Sequence, residues 1–153
     1  MTGRIAVYNH TGQVVTDPER SMRFYREMFG FQYWYQFSPE DEAVGKLCSL
    51  EPPLAVAAYY LTLGGLVMEL IHYAGEGATA AYRPRTMNEP GLTHLSLAVD
   101  DIHATARKAV EYGGEVLDES DIGVGLMIRD PDGQLIELLE MRFREHLPPK
   151  PGE

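Results

Sequence analysis

Cysteine is nearly absent. Cys48 is the only one in 153 residues, so no intrachain disulfide can form and nothing points to an oxidising compartment. As a small, weakly polar side chain it is expected to be buried. Basic residues are also scarce, 13 against 23 acidic ones, which leaves a formal net charge of −10. That balance repels phosphate backbones and anionic lipid surfaces, so neither nucleic acid nor membrane is expected as a partner. The longest apolar run, Leu54 to Ile71, is broken by Gly64, Gly65 and Glu69 and reads as two strands around a turn rather than a membrane span. Met1 to His10 has neither the charged start nor the apolar stretch of a signal peptide, and a cytoplasmic location is expected. Low-complexity segments are missing too. With 44% apolar and 24% charged residues, the composition suits a folded domain with its own core.

What the chain does have is an internal repeat. The segment His10 to Asp17 aligns with His94 to Asp101, each a strand that opens on histidine and closes on aspartate. Both aspartates stand where a helix starts, and Pro18 after Asp17 suits a first turn. Met22, Phe24, Tyr25, Met28 and Phe29 recur at helical spacing, as do Ile102, Ala106, Ala109 and Val110. The two helices are expected to stop at Gly30 and Gly114. Each copy ends alike: Gly65 to Ile71 parallels Gly133 to Leu139, with Glu69 and Glu137 four residues after their glycines. Asp130-Pro131-Asp132-Gly133 has strong turn chemistry. Runs at 31–37, 55–63, 115–117 and 125–128 read as the remaining strands.

The expected fold is therefore α+β, two tandem βαβββ modules forming one domain over 1–153. Module one covers about 5–74, a linker about 75–91, module two about 92–141, and a loose tail 146–153. Copy one is longer, and its insertion is placed in a loop around Ser38 to Pro53. Phe31, Tyr33, Tyr35 and Phe37 alternate onto one strand face that reads as core. On the other face, Trp34 with Gln32 and Gln36 would line a pocket for a planar or polar group.

Glu69 and Glu137 pose a physical question, because an ionised carboxylate on an apolar strand is costly without a partner. A divalent metal is a sufficient partner. A single histidine or glutamate on a strand would more often be hydrogen-bonded or half exposed than metallated. The same His and Glu at matched positions in both copies reverse that weighting. His10, Glu69, His94 and Glu137 offer two nitrogens and two oxygens, suited to Zn, Ni, Co, Mn or Fe. On the first strand of copy two, the set His94, Ser96 and Ala98 is small and leaves space above the histidine, while Leu95, Leu97 and Val99 pack under the helix. His72 and His103 fall outside the matched pattern and read as ordinary polar residues.

These His-led strands, Phe24-Tyr25-Arg26 before Phe29-Gly30-Phe31, and Asp130-Pro131-Asp132-Gly133 before Glu137 resemble the vicinal oxygen chelate superfamily over roughly residues 5 to 141. That superfamily includes glyoxalase I, methylmalonyl-CoA epimerase, extradiol dioxygenases, fosfomycin resistance proteins and bleomycin-binding proteins. The resemblance implies a cupped mixed sheet around one divalent metal, Ni, Co or Zn favoured over Fe or Mn. It also implies a homodimer and a small-molecule substrate. The ligand set is most similar to bacterial glyoxalase I, which implies a metal-dependent lyase or isomerase acting on a small carbonyl compound, a thiol adduct or thioester, with Glu69 and Glu137 as acid and base. Where those glyoxalases carry an arginine that grips the glutathione carboxylate, four residues after the first histidine, this chain has Val14, and where they carry an asparagine four residues after the first glutamate it has Tyr73. A metal-free antibiotic-binding protein and an extradiol-type dioxygenase are the alternatives.

Overall fold

The computed structural model describes residues 6–75 and 83–148. Part of the expected linker, 76–82, and the end of the expected tail, 149–153, lie outside the described residues. Among the described residues, eight strands and three α-helices follow in the order β1 (Thr11–Val14), α1 (Pro18–Phe29), β2 (Gln32–Phe37), α2 (Asp41–Cys48), β3 (Val56–Leu63), β4 (Leu66–Tyr73), β5 (His94–Val99), α3 (Ile102–Glu111), β6 (Glu115–Leu117), β7 (Gly125–Arg129) and β8 (Leu135–Glu140). They form two four-stranded mixed sheets, β1-β4-β3-β2 and β5-β8-β7-β6, so the tandem βαβββ reading holds. Contacts gather the described residues into two compact units, 6–18 with 31–75 and 19–30 with 83–148. Helix α1, although encoded by the first copy, thus groups with the second sheet.

In unit one, β3 and β4 are joined through Gly64 and Gly65, both at positive φ (50° and 83°), as a two-residue hairpin turn requires. This turn sets the register outward from Leu63↔Leu66 to Thr62↔Val67 and Tyr60↔Glu69. Strand β1 runs parallel to β4 with Gly12 opposite Glu69. Alternation then separates two faces. Leu61, Met68 and Leu70 are buried on one, while Tyr60, Val67 and Glu69 stand on the other.

Three sequence expectations need correction here. The insertion at 38–53 is not all loop, because residues 41–48 form α2. Asp41 in its first turn accepts hydrogen bonds from the Leu54 and Ala55 amides, both at 2.9 Å, which ties the helix to the start of β3. Gly45 permits this packing, since a Cβ there would lie 2.8 Å from the Leu50 carbonyl. Cys48, at the end of α2, is exposed rather than buried. The supposed core face of β2 is also not core: Phe31 is buried, but Tyr33, Tyr35 and Phe37 are about half exposed. Strand β2 is the sheet edge, and its register shifts between Tyr33 and Tyr35, a bulge that breaks the alternation at Trp34.

Unit two repeats the topology, with β5 parallel to β8 and Ser96 opposite Glu137. Asp101 caps α3 by accepting from the Ala104 amide at 2.8 Å, as the sequence predicted. The helix ends through Gly113 (φ 86°) rather than Gly114. Gly114 is needed for a different reason, close approach: a Cβ there would lie 2.7 Å from the Arg129 carbonyl and 2.9 Å from the Phe24 ring. Helix α1 is fastened to the β7–β8 turn. Buried Asp130 accepts from the Tyr25 hydroxyl at 2.8 Å and from the Asp132 and Gln134 amides, while Asp132 accepts from Arg20 and Ser21.

Candidate metal site

His10 lies just ahead of β1, and Glu69 is in the middle of β4. Their side chains meet with Nε2 to Oε2 at 2.9 Å, the histidine side chain 31% and the glutamate 14% exposed. The other Glu69 oxygen, Oε1, accepts the Tyr60 hydroxyl at 2.6 Å across the β3–β4 ladder. The Tyr60 ring is packed edge-on against His10 and lies flat on Tyr35, 4.6 Å between centroids and 2° between planes. Burial first, and then the Glu69 carboxylate, push the Tyr60 phenol well above its ordinary range, so it remains a donor at neutral and moderately alkaline pH. Gly12 lies opposite, where a Cβ would sit 3.3 Å from Ile71 Cδ1 and in ordinary contact with Oε2 at 3.6 Å.

The second pair is arranged differently. His94 Nε2 lies 3.6 Å from Glu137 Oε2, beyond hydrogen-bond distance, and that same oxygen accepts from Ser96 at 2.6 Å. Ser96 holds the repeat position of Gly12, and Met127 holds that of Tyr60. Each histidine ring is also held from behind. His10 Nδ1 meets Asn9 Oδ1 at 2.6 Å, and His94 Nδ1 meets Thr93 Oγ1 at 2.9 Å. An outer bond of this kind fixes the ring and leaves Nε2 for a metal.

Among the described residues no three His, Cys, Asp or Glu side chains gather at one point, so the four sequence-predicted ligands stand as two pairs. Each pair offers one imidazole nitrogen and one carboxylate oxygen, which fits half the donor set of a divalent ion. His72 and His103 do not join them. His72 meets the Val15 carbonyl at 3.2 Å and His103 meets Asp121 at 2.8 Å.

Beside Glu69, on the same sheet face, an open cavity of about 440 Å³ is lined by Trp34, Tyr35, Tyr60 and Val67 together with Tyr8, Asn9 and Thr62. Trp34 does line a pocket, as its strand position suggested, but the flanking glutamines do not. Tyr8, Asn9 and Tyr60 were not singled out from sequence. For Tyr60 a signal existed: counting outward from the Gly64-Gly65 turn places it opposite Glu69.

The model of the glyoxalase/bleomycin resistance protein/dioxygenase superfamily matches residues 7–138. The chain belongs to this superfamily. Within it, the chain is 29% identical over 146 residues to an ethylmalonyl-CoA/methylmalonyl-CoA epimerase of Cereibacter sphaeroides, covering 90% of this chain and 98% of that one. It is also 29% identical to a probable lactoylglutathione lyase of Vibrio parahaemolyticus, covering 86% and 88% of the two chains. The fold matches a glyoxalase family protein from Bacillus cereus with a TM-score of 0.75 at 20% identity, over 92% of this chain and 97% of the other. Superfamily members generally use a divalent metal. With isomerase and lyase relatives on both sides, the chain is a glyoxalase-like enzyme of the lyase or isomerase kind. Among the described residues no helix is long and apolar enough to cross a membrane.

Proposed function

We propose that this superfamily member moves a proton at the carbon next to a carbonyl in a small substrate, a thiol adduct or thioester, as a metal-dependent enzyme of glyoxalase I type. The observation that carries the proposal is the imidazole–carboxylate pair at the same strand positions in both copies, His10 with Glu69 and His94 with Glu137. These four residues would hold one divalent ion, Ni, Co or Zn in preference to Fe or Mn. When bound, the ion supplies an electrophile for the substrate carbonyl oxygen.

The two carboxylates differ in freedom. Glu69 is engaged through both oxygens, by His10 and by Tyr60, and serves as the fixed member. The contacts of Glu137 among the described residues run through Oε2, and 31% of its side chain is exposed. Glu137 is therefore the carboxylate that takes and returns the proton, with Ser96 holding the oxygen nearest His94.

Glutathione is not favoured as the thiol. Val14 is exposed and offers a carboxylate neither charge nor donor, and Tyr73 packs with Val44, Leu54 and Val56 and donates to the Cys48 thiol at 3.9 Å. A homodimer is proposed by family analogy, in the cytoplasm.

The deciding experiment joins metal analysis to proton exchange. Protein purified without chelator should carry about one Ni, Co or Zn per chain, and His94→Ala should lose it. In deuterated water the enzyme should wash out the α-proton of short acyl thioesters or thiol–ketoaldehyde adducts, and Glu137→Gln should slow this about a hundredfold or more. No metal after reconstitution and no exchange would sink the proposal and favour a binding protein for a small antibiotic. Iron with oxygen uptake would instead favour a dioxygenase.

A further inference from the structure

The sheet face that carries Glu69 is closed on one side and open on the other. Toward the far end of β4, the residues on this face are Ile71 and Tyr73, and both pack with Val56 and Leu54 under Val44 of α2. That side is filled. In the opposite direction along the same face come Val67 and its cross-strand partner Thr62, and there the cavity lies. Along this face, a substrate held by an ion at Glu69 can extend only this way.

The cavity walls have a distinct chemistry. Four of the seven lining side chains are aromatic, and none is charged. The Tyr35–Tyr60 stack offers a rigid π face, and the Tyr60 hydroxyl ties that face to Glu69. The β2 bulge sets Trp34 beside Tyr35 opposite Tyr60, so an indole that is 71% exposed stands at the mouth. Tyr8 is held in place by a hydroxyl bond to Thr11. Asn9 and Thr62 provide the neutral polar groups.

We propose that this cavity is the specificity pocket for a neutral, planar, unsaturated substituent on the substrate, an aryl or conjugated acyl group attached next to the reacting carbonyl. The assignment rests on the proposed site at Glu69. Aromatic walls favour a flat π system through stacking and edge contacts. An uncharged lining gives no opposite charge to a carboxylate or phosphate, which would lose water on entering. A methyl or ethyl substituent would leave the cavity largely unfilled.

Trp34 is the chain's single tryptophan, so its emission reads the pocket without a label. The test titrates the metal-loaded protein with acetylnaphthalene and acetophenone against butanone and acetylbenzoate, by calorimetry and by Trp34 emission. The aryl ketones should bind saturably and more tightly than butanone. Trp34→Ala should weaken them about tenfold, and Val67→Phe, which fills the cavity and keeps the reporter, should abolish the emission change. Both variants should keep the wild-type metal content and melting temperature, which separates this proposal from failure of the metal site or of the fold. Equal binding of butanone, preference for acetylbenzoate, or aryl binding unaffected by both variants would overturn it. So would a Trp34 emission that shifts with protein concentration and not with ketone, because a second copy of the chain would then cover the indole.

Discussion

Glu69 and Glu137 hold matched places in the repeat, yet their hydrogen bonds come from opposite neighbours. Tyr60 reaches Glu69 from the antiparallel strand β3, while Ser96 reaches Glu137 from the parallel strand β5. The repeat explains the exchange: Gly12, having no side chain, leaves Glu69 to Tyr60, and Met127, which has no donor, leaves Glu137 to Ser96. An outer bond to a ligating carboxylate fixes its direction, and its loss typically lowers metal affinity by about ten- to a hundredfold. Tyr60→Phe is accordingly expected to weaken metal binding about tenfold, read by competition with a chromophoric chelator. Its melting temperature should fall little, since the half-exposed hydroxyl contributes about 1 kcal/mol to stability. An unchanged affinity would make Tyr60 a wall of the cavity only. The ligand candidates themselves were legible because the chemistry repeats: His10 and His94, and Glu69 and Glu137, answer each other across the copies. Their partners were less so, because Asn9 and Thr93 hold matching places but differ in type, and Tyr60 depends on register and has Met127 at its place in the other copy.

At the scale of elements, the strands and the two long helices follow from alternation and helical spacing, whereas α2 and the β2 bulge do not. The eight residues of α2 alternate poorly with their surroundings, and the helix is fixed by Asp41 binding amides thirteen and fourteen residues on, a link invisible to local pattern. The aromatic alternation of 31–37 misleads because β2 ends the sheet and the bulge re-aims its side chains. The two family-like motifs, Phe24-Tyr25-Arg26 and Asp130-Pro131-Asp132-Gly133, meet each other through Tyr25 and Asp130 and so act in folding rather than chemistry. Asp130→Ala would strand the buried Tyr25 hydroxyl and two turn amides, costing about 3 kcal/mol and lowering the melting temperature by roughly 6–12 °C. Asp130→Asn, which keeps the shape, should cost less. A drop of a degree or so in calorimetry would show that the turn does not fasten α1. The loop before β7 gives a pH test. The Gly123 amide, and then His103, hold the exposed Asp121 carboxyl below its ordinary range. A lowered native value stabilises above the usual aspartate range and is lost as pH falls through that native value. Asp121→Asn should thus melt slightly earlier than wild type at neutral pH, with the gap closing under acid. A gap that persists into strong acid would assign the effect to the side-chain geometry instead.

For the molecule as a whole, the question is whether the two donor pairs serve one ion or two. Neither pair alone supplies more than one nitrogen and one carboxylate, short of the three protein ligands that catalytic zinc sites use. An ion held by one pair would bind weakly and independently of the other, and stoichiometry would approach two per chain. One ion held by all four donors would bind tightly and be lost when either pair is broken. Linkage turns this into a thermal measurement, because a ligand at a hundred times its Kd stabilises the native state by about 2.7 kcal/mol, or roughly 5–11 °C in a chain of this size. If the four residues act together, Ni, Co or Zn should raise the melting temperature of wild type by that amount. His10→Ala and Glu137→Gln, one from each pair, should each abolish nearly all of the gain. Two independent half-sites would leave each variant with about half of it. Near-complete loss from either of two substitutions in separate copies of the repeat is the outcome that a shared ion produces and two half-sites do not.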